Sequence, residues 1–248
     1  YGAAARGLPS DDRLGRWNHL ISQALALERK GREDDDTATL VDAVHVHSDA
    51  ARLLSEQDAP ADWAETHLAL GNLLLEVGAR EKRVERSLAA ALHFKPALDV
   101  FSQLHDSDNW ARAQLGMAEA LRCQGDVQGD VETLSEAAFA YRAALGVLTR
   151  DRMPPEWLTA SFGLGAALLR QGQEAGDIAP LEEAADSLRG ALAAAEHGGP
   201  VSVGAILAKL GHVLLALGAA RSDVEMIADA AAALEGAIAE EHVPLPEA

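Results

Sequence analysis

Cysteine, aromatic residues and positive charge are all scarce in this sequence, and each shortage argues against a class of protein. The single cysteine, Cys123, rules out an intrachain disulfide and so the small secreted domains that depend on one. Aromatic residues make up 4% of a chain that is 48% hydrophobic, so alanine and leucine must supply most of the core. This composition favours close packing of helices over a β-sandwich, in which β-branched and aromatic residues predominate.

The charge balance and the hydropathy pattern narrow the range of partners. With 21 basic and 39 acidic residues the formal net charge is −18, and such a surface repels phosphate backbones, so we expect no nucleic-acid partner. No run of about 18 apolar residues is evident, so we expect no membrane insertion. Together with the shortage of cysteine, this favours a cytoplasmic location. Because the chain begins at Tyr1 rather than Met, we expect an expression remnant or a processed or excised fragment, from which any targeting segment would be missing.

What the sequence does contain is a regular internal repeat. A frame of small residues recurs five times at steps of 47, 47, 47 and 46 residues, with alanines twelve and nineteen residues after each marker glycine. Self-similarity at a period of roughly 20–50 residues is typical of stacked identical units. The repeat therefore predicts an all-α fold that grows by adding one helix pair after another. The marker glycines are Gly31, Gly78, Gly125, Gly172 and Gly218.

Each repeat is predicted to contain two helices. The first is clearest over residues 155–171, where Pro155 suits the first turn and Gly172 is the expected C-cap that ends the helix. The second is predicted to begin five residues after the marker glycine, where a carboxylate recurs that can cap the free N–H groups. These aspartates are Asp36, Asp130, Asp177 and Asp223.

Several positions depart from ordinary helix chemistry. Gly71, Gly165 and Gly211 lie in the middle of first helices, where glycine costs about 1 kcal/mol relative to alanine. We expect that two helices approach closely there, with the alanines of the second helix on the other side. In the second repeat, Arg83 replaces the capping aspartate, and Pro96 falls inside the predicted second helix, which it should kink or end.

The residues at these positions resemble a known repeat family. Leu70-Gly71, followed by Leu74 and Gly78, is similar to the first helix of the tetratricopeptide repeat (TPR), and Ala184 with an Ala-Leu pair seven residues later is similar to the second. The unit is longer than the usual TPR of about 34 residues, so the chain resembles a long-repeat bacterial variant. The resemblance implies a right-handed α-solenoid of five helix-turn-helix repeats, whose first helices line a concave groove for protein or peptide partners.

Tryptophans also recur in the first helices. Trp63, Trp110 and Trp157 stand at equal spacing, which predicts core anchors rather than ligand-stacking residues.

This resemblance divides the chain into a lead-in, a solenoid and a tail. The lead-in is 1–13, the solenoid 14–241 with repeats of about 14–59, 60–106, 107–153, 154–199 and 200–241, and the tail 242–248.

The resemblance also assigns residues to the groove. It places Arg112, Arg122 and Arg170 on the inner wall, where guanidinium groups would pair with carboxylates of a partner. The alternative is that these arginines neutralise nearby glutamates such as Glu119, and the sequence leaves both interpretations open. The predicted groove residues are Asn72, Glu76, Arg112, Leu115, Glu119, Arg122, Phe162, Leu169, Arg170 and His212.

No catalytic or metal-binding pattern accompanies the repeat. His45 and His47 are two residues apart, whereas a chelating pair on a helix needs a spacing of three or four. No nucleophile elbow or phosphate-binding loop occurs. We therefore predict no catalytic residues, no metal and no cofactor, and a non-enzymatic scaffold that binds a protein or peptide partner. The alternatives are a regulatory or sensor domain that responds to a small peptide or metabolite, and an enzyme.

The last predicted helix would leave an apolar stripe uncovered. It contains Ile227, Ala231, Leu234 and Ile238, and prolines at 244 and 246 forbid a further regular helix after it. We expect this stripe to be covered by further sequence, by self-association through the C-terminal repeat, or by the tail folding back. The alternative is that an alanine-rich helix exposes too little apolar area to need a cover.

Overall fold

The computed structural model describes residues 12–195 and 199–241, and within these ranges the regular structure is entirely helical. The predicted tail, 242–248, and most of the predicted lead-in lie outside the described residues. Each of the five repeats contains two helices. The ten helices of the described chain are α1 Arg13–Glu33, α2 Thr37–Ala51, α3 Pro60–Glu81, α4 Glu85–Gln103, α5 Ser107–Gln128, α6 Val131–Leu145, α7 Pro154–Ala175, α8 Ile178–Ala194, α9 Val203–Arg221 and α10 Val224–Glu241.

The chain divides into two compact units, Tyr1–Cys123 and Gln124–Ala248, with the division inside α5. In unit 1, α1 packs against α2, α2 against α3 and α3 against α4. In unit 2, α6 to α10 do the same, and α9 also contacts α7. This packing of consecutive helices confirms the predicted fold class, an all-α helical repeat of the solenoid type.

The capping aspartates begin the second helices as predicted. Asp36 accepts a hydrogen bond from the backbone N–H of Ala38, and Asp130 accepts from those of Glu132 and Thr133. Asp177 and Asp223 lie immediately before α8 and α10 and accept from Ala179 and Met226 in the same way. Among these second helices, only α4 begins without a side-chain cap, because Arg83 stands at the position of the capping aspartate.

The marker glycines do not end the first helices, so this part of the prediction is wrong. Helix α7 continues past Gly172 to Ala175, and the left-handed residue after it is Gly176, with φ of +66°. A Cβ on Gly172 would lie 2.7 Å from the Cδ2 of Leu181. The marker glycine therefore recurs because the second helix folds back against the first at this point, and Gly31 meets Leu40 in the same way.

The mid-helix glycines do mark close helix approaches, as expected. A Cβ on Gly71 would lie 2.6 Å from Cε1 of Phe94, and one on Gly165 would lie 2.6 Å from Cγ of Leu188. The expectation that alanines occupy the other side is wrong. Large side chains of the second helix fill the space that each glycine leaves, and for Gly211 this side chain is the half-buried Leu234.

The core of unit 1 lies between its first and second helices. Phe94 and Phe101 are buried in it, with 0% and 1% of their surface exposed. Trp63 and Trp110 are half-buried and pack against this core, which agrees with the predicted role of anchors. A cluster dominated by leucine and alanine surrounds the two phenylalanines, as the composition indicates.

Helix α4 continues through Pro96, so this proline does not end the helix, which is one of the two effects that the sequence predicts. A proline inside a helix removes one N–H donor and costs about 3 kcal/mol. On either side of it, Phe94, Ala97 and Val100 are buried, with at most 2% exposed. Because these side chains hold both halves of α4 against the core, packing offsets the proline.

Helix α9 is apolar along most of its length, with Lys209 and His212 as interruptions. In the described part of the chain it is the one helix whose length and hydropathy would allow it to cross a bilayer. Its side chains Ile206, Val213 and Leu217 are buried, with at most 3% exposed, and the helix packs against α8 and α10. Its apolar character is accounted for by its place in the core of unit 2.

Candidate functional site

The predicted groove residues fall in both units. In unit 1 the polar side chains of Asn72 and Arg112 are exposed, whereas Leu115 is half-buried. In unit 2 Phe162 is half-buried and His212 is exposed. The unit 1 set is Asn72 and Glu76 on α3 with Arg112, Leu115, Glu119 and Arg122 on α5, and the unit 2 set is Phe162, Leu169 and Arg170 on α7 with His212 on α9.

The predicted groove arginines Arg122 and Arg170 pair with carboxylates of their own unit. Arg122 donates to both carboxylate oxygens of Glu119, from Nε at 3.0 Å and from Nη2 at 2.5 Å. Arg170 donates to Glu174 at 2.7 Å and lies 3.6 Å from Asp126. In this structure Arg122 and Arg170 therefore neutralise nearby carboxylates, which is the second of the two interpretations that the sequence leaves open.

Leu169 is a correction to the predicted set. It has 3% of its surface exposed and is part of the core of unit 2, so a partner cannot reach it without opening the helix packing. At the equivalent position of the next repeat, Leu215 of α9 is 43% exposed. Phe162 and Arg170 lie on α7, and His212 and Leu215 lie on α9. These two helices contact each other. We call these four residues the α7–α9 surface.

Glu76 belongs to an ion-pair network that links α1 and α3. Arg32 donates to its carboxylate from Nη2 at 2.7 Å and from Nε at 3.0 Å. Arg80 lies 3.4 Å from the same carboxylate and donates to Asp35 at 2.6 Å. These contacts join residues about one repeat apart, so they tie successive first helices together.

The network continues inward to a buried polar pair. Nε2 of His47 lies 2.6 Å from Oε1 of Glu28, and Arg32 donates to the other oxygen of Glu28 at 3.0 Å. Burial raises the pKa of Glu28, but the interactions with His47 and Arg32 outweigh it, so this pKa lies below its ordinary value. His47 is 1% exposed, and its Nδ1 has no hydrogen-bond partner among the described residues.

Sequence reasoning missed Glu28 as the partner of His47. The repeat itself holds the signal, because His47 stands where Phe94 stands one repeat later and Glu28 stands where Leu75 stands. Two polar residues in place of two apolar ones within one repeat point to a pair. His45, the other member of the histidine couple, is exposed on α2.

Two histidines, His67 of α3 and His93 of α4, form a second polar pair. The Nδ1 atoms of His67 and His93 are 3.0 Å apart, and the ring of Trp63 lies 4.1 Å from that of His67, centre to centre. Burial, with a smaller contribution from His93, lowers the pKa of His67 to about 4, and burial also lowers that of His93. Both imidazoles are therefore neutral at pH 7, and one donates a hydrogen bond to the other. The two histidines are 26 residues apart, a spacing unrelated to the repeat, so the sequence pattern does not predict this pair.

The described residues include a cavity in unit 2 but no cluster of metal-ligating side chains. They contain no group of three or more His, Cys, Asp or Glu side chains that could hold a metal ion. A cavity of about 370 Å³ in unit 2 is lined by the start of α7, the end of α8 and the turns before α7 and α9, with Arg150 and Asp151 as its ionisable groups. Arg150 already donates to the carbonyl of Ala193 at 2.9 Å. What the chain presents instead is a set of helix faces with paired charges and single exposed apolar side chains.

Comparison with known proteins adds neighbours of low similarity. No protein-family model and no curated protein matches the chain. Among solved structures, BtubC (BKLC) from P. vanneervenii is 15% identical with a TM-score of 0.44, covering 94% of this chain and 95% of that one. The de novo designed helical repeat protein DHR64 is 18% identical with a TM-score of 0.34, covering 93% and 95%. The fold assignment therefore depends on the helix packing described above.

Proposed function

We propose that this chain is a non-enzymatic interaction module, a long-repeat relative of the TPR, that binds a segment of a partner protein. The α7–α9 surface is the observation that carries the proposal. It combines an exposed apolar side chain, Leu215, a half-buried aromatic one, Phe162, the exposed His212, and the paired guanidinium group of Arg170. The first helices are also the ones that line the binding groove in the family that the sequence resembles.

The energetics assign different roles to these side chains. An ion pair at a surface contributes about 0–1 kcal/mol, so Arg170 supplies orientation and partner choice rather than affinity. Affinity comes from apolar side chains that a partner removes from water, each worth about 1.5–3 kcal/mol when fully buried. Leu215 and Phe162 are the apolar residues of this surface that a partner can cover further.

Peptides selected from a phage-displayed random library on the whole chain test this proposal. The selected peptides are then synthesised with a fluorescent label, and their binding is measured by anisotropy. Replacing both Phe162 and Leu215 by alanine should weaken binding by about tenfold or more. Arg170→Ala should have a smaller effect and should reduce the salt dependence of association.

Leu92→Ala is the matched control, because Leu92 is 76% exposed but lies on α4 of unit 1. It should leave peptide binding unchanged. Peptides that bind the Phe162→Ala, Leu215→Ala protein as tightly as the unaltered chain would place the site elsewhere. Circular dichroism on each variant separates loss of the surface from loss of the fold.

A further inference from the structure

One face of α10 remains uncovered although it is built like faces that are covered elsewhere in the chain. It consists of Val224, Ile227, Ala231 and Leu234, spaced three or four residues apart so that they share one side of the helix. Val224 is 77% exposed and Ile227 37% exposed, Ala231 is exposed and Leu234 is half-buried. We call this set the α10 face.

The repeat shows what the α10 face is built to receive. Ile227 occupies the position of Leu181 on α8 and of Leu134 on α6, which are 5% and 0% exposed. Ala231 occupies the position of Ala185, which is 2% exposed. In unit 2 the first helix of the next repeat packs on each of these second helices, α7 on α6 and α9 on α8. The α10 face therefore has the form of a surface that receives a first helix.

The contacts of earlier repeats define the fit in more detail. Phe94 of α4 projects onto Gly116 of α5, and Tyr141 of α6 projects onto Gly163 of α7, so closely that a Cβ on either glycine would overlap the ring. At these two junctions a large residue on a second helix thus fits against a glycine on the following first helix, whereas between α8 and α9 the equivalent residues are Leu188 and Leu210. On α10 the large residue is Leu234.

Helix α1 is the first helix that offers the complementary features. Ser22 is its small, exposed residue at the repeat position of Gly116. Leu14 and Leu25, eight residues before and three after it, are 50% and 53% exposed. With the exposed Arg29 one turn further, these residues share one side of the helix, which we call the α1 face.

Charge favours α1 over other helices as the partner of the α10 face. Helix α10 carries five acidic residues and no basic one, whereas α1 carries five basic residues and two acidic ones in a chain of net charge −18. The molecule already uses this combination once. Helix α9, whose only charged residues are Lys209 and Arg221, packs on the acidic α8, where Arg221 pairs with Glu182. A basic first helix on an acidic second helix is therefore a fit that this sequence has adopted.

We propose that the chain self-associates head to tail, with the α10 face of one copy receiving the α1 face of another. The interface continues the repeat from one molecule to the next, with Leu234 against Ser22 and acidic α10 against basic α1. Because the two faces differ, the contact is heterologous, and association continues into a closed ring or an open chain. The contact uses neither the α7–α9 surface nor a partner protein.

Sedimentation velocity of the whole chain over a range of concentrations tests the proposal. The mass of the sedimenting species should rise with concentration from one copy to two or more. Added salt should reduce the association because it screens the attraction between the acidic α10 and the basic α1. Ile227→Glu on the α10 face and Leu25→Glu on the α1 face should each abolish growth. Leu92→Glu, on the exposed side of α4, should leave the association as it is in the unaltered chain.

Mixing the two altered proteins is the decisive step. The Ile227→Glu copy keeps a normal α1 face and the Leu25→Glu copy keeps a normal α10 face, so the mixture should form a one-to-one dimer that grows no further. If Ile227→Glu disturbs the fold, judged by circular dichroism, Val224→Glu replaces it because this residue is 77% exposed. A chain that remains monomeric at every concentration, because the face stays open or residues 242–248 cover it, overturns the proposal. So does a symmetric dimer that fails to form the mixed pair.

Discussion

The ring of Phe94 lies so close to Gly116 that there is no room for a Cβ on this glycine. A Cβ on Gly71 would also lie 2.6 Å from Cε1 of the same ring. One aromatic side chain of α4 is thus held between the backbones of α3 and α5 in unit 1, and Phe94 itself is fully buried. The two glycines allow the helices to approach closely enough for one side chain to connect them.

Alanine at Gly71 or Gly116 should therefore destabilise the protein. The gain in helix propensity is about 1 kcal/mol, but overpacking a tight core typically costs about 1–3 kcal/mol, and here an added methyl group on either glycine would meet the buried ring of Phe94. Thermal or urea unfolding followed by circular dichroism should show a lower midpoint for both variants.

Gly190 provides the matched control for these glycine variants. It also lies within a helix, α8, but a Cβ there would meet only Cη2 of Trp157 at 3.9 Å, an ordinary contact. Gly190→Ala should therefore raise stability by about 0.5–1 kcal/mol. If all three alanine variants were stabilising, the glycines of α3 and α5 would not be needed for close packing.

The glycines also show how far sequence reasoning reaches. The period and the aspartate caps depend on local chemistry, so the helix pairs and their starts could be predicted. The ends of the first helices could not, because Gly172 looks like a cap until Leu181 is seen against it. For the same reason the exposure of Leu169 could not be read from its position, since the equivalent Leu215 differs only in what packs over it.

The buried pair of Glu28 and His47 should be replaceable only as a pair. Glu28→Leu alone leaves His47 buried without its hydrogen bond, and His47→Phe alone leaves a buried carboxylate with only Arg32, so each single change should cost about 2–4 kcal/mol. The double variant restores the apolar pattern of the second repeat, which has Leu75 and Phe94 at these positions. It should be close to neutral or stabilising.

A double-mutant cycle on unfolding free energies measures this coupling. The interaction energy between the two sites should be roughly 2 kcal/mol or more, with the double variant far more stable than the sum of the singles implies. Losses that simply add would show that the two side chains act independently, in contradiction to their 2.6 Å contact.

Pro96→Ala should stabilise α4. The substitution restores an N–H donor inside a helix that is already continuous, and a proline at such a position costs about 3 kcal/mol. A gain of about 1–3 kcal/mol in the unfolding free energy is expected, and Pro96→Gly should recover less because glycine is itself a poor helix former. An unchanged or lower stability for Pro96→Ala would mean that the proline ring contributes packing that alanine cannot replace.

The histidine pair of α3 and α4 should make stability depend on pH. The pKa of His67 in the folded chain is about 4, below its ordinary value of 6.5. As the pH falls through 6.5 the unfolded chain takes up a proton that the folded chain refuses until about pH 4. Stability is thus fully present above pH 6.5 and is lost progressively between about 6.5 and 4, by an amount on the order of 1–3 kcal/mol.

Urea unfolding at a series of pH values, compared between the unaltered chain and His67→Gln, isolates this contribution. Subtracting the two curves removes the carboxylates, such as Asp36 and Glu81, whose lowered pKa values also favour loss of stability in acid. The unaltered chain should lose more stability than the variant as the pH falls from 6.5 towards 4. Leu92→Ala, a non-titrating change on the same helix as His93, should keep the full loss. Parallel curves for His67→Gln and the unaltered chain would show that the imidazoles accept protons in the folded state, and the 3.0 Å contact of their Nδ1 atoms would then have to open below pH 6.5.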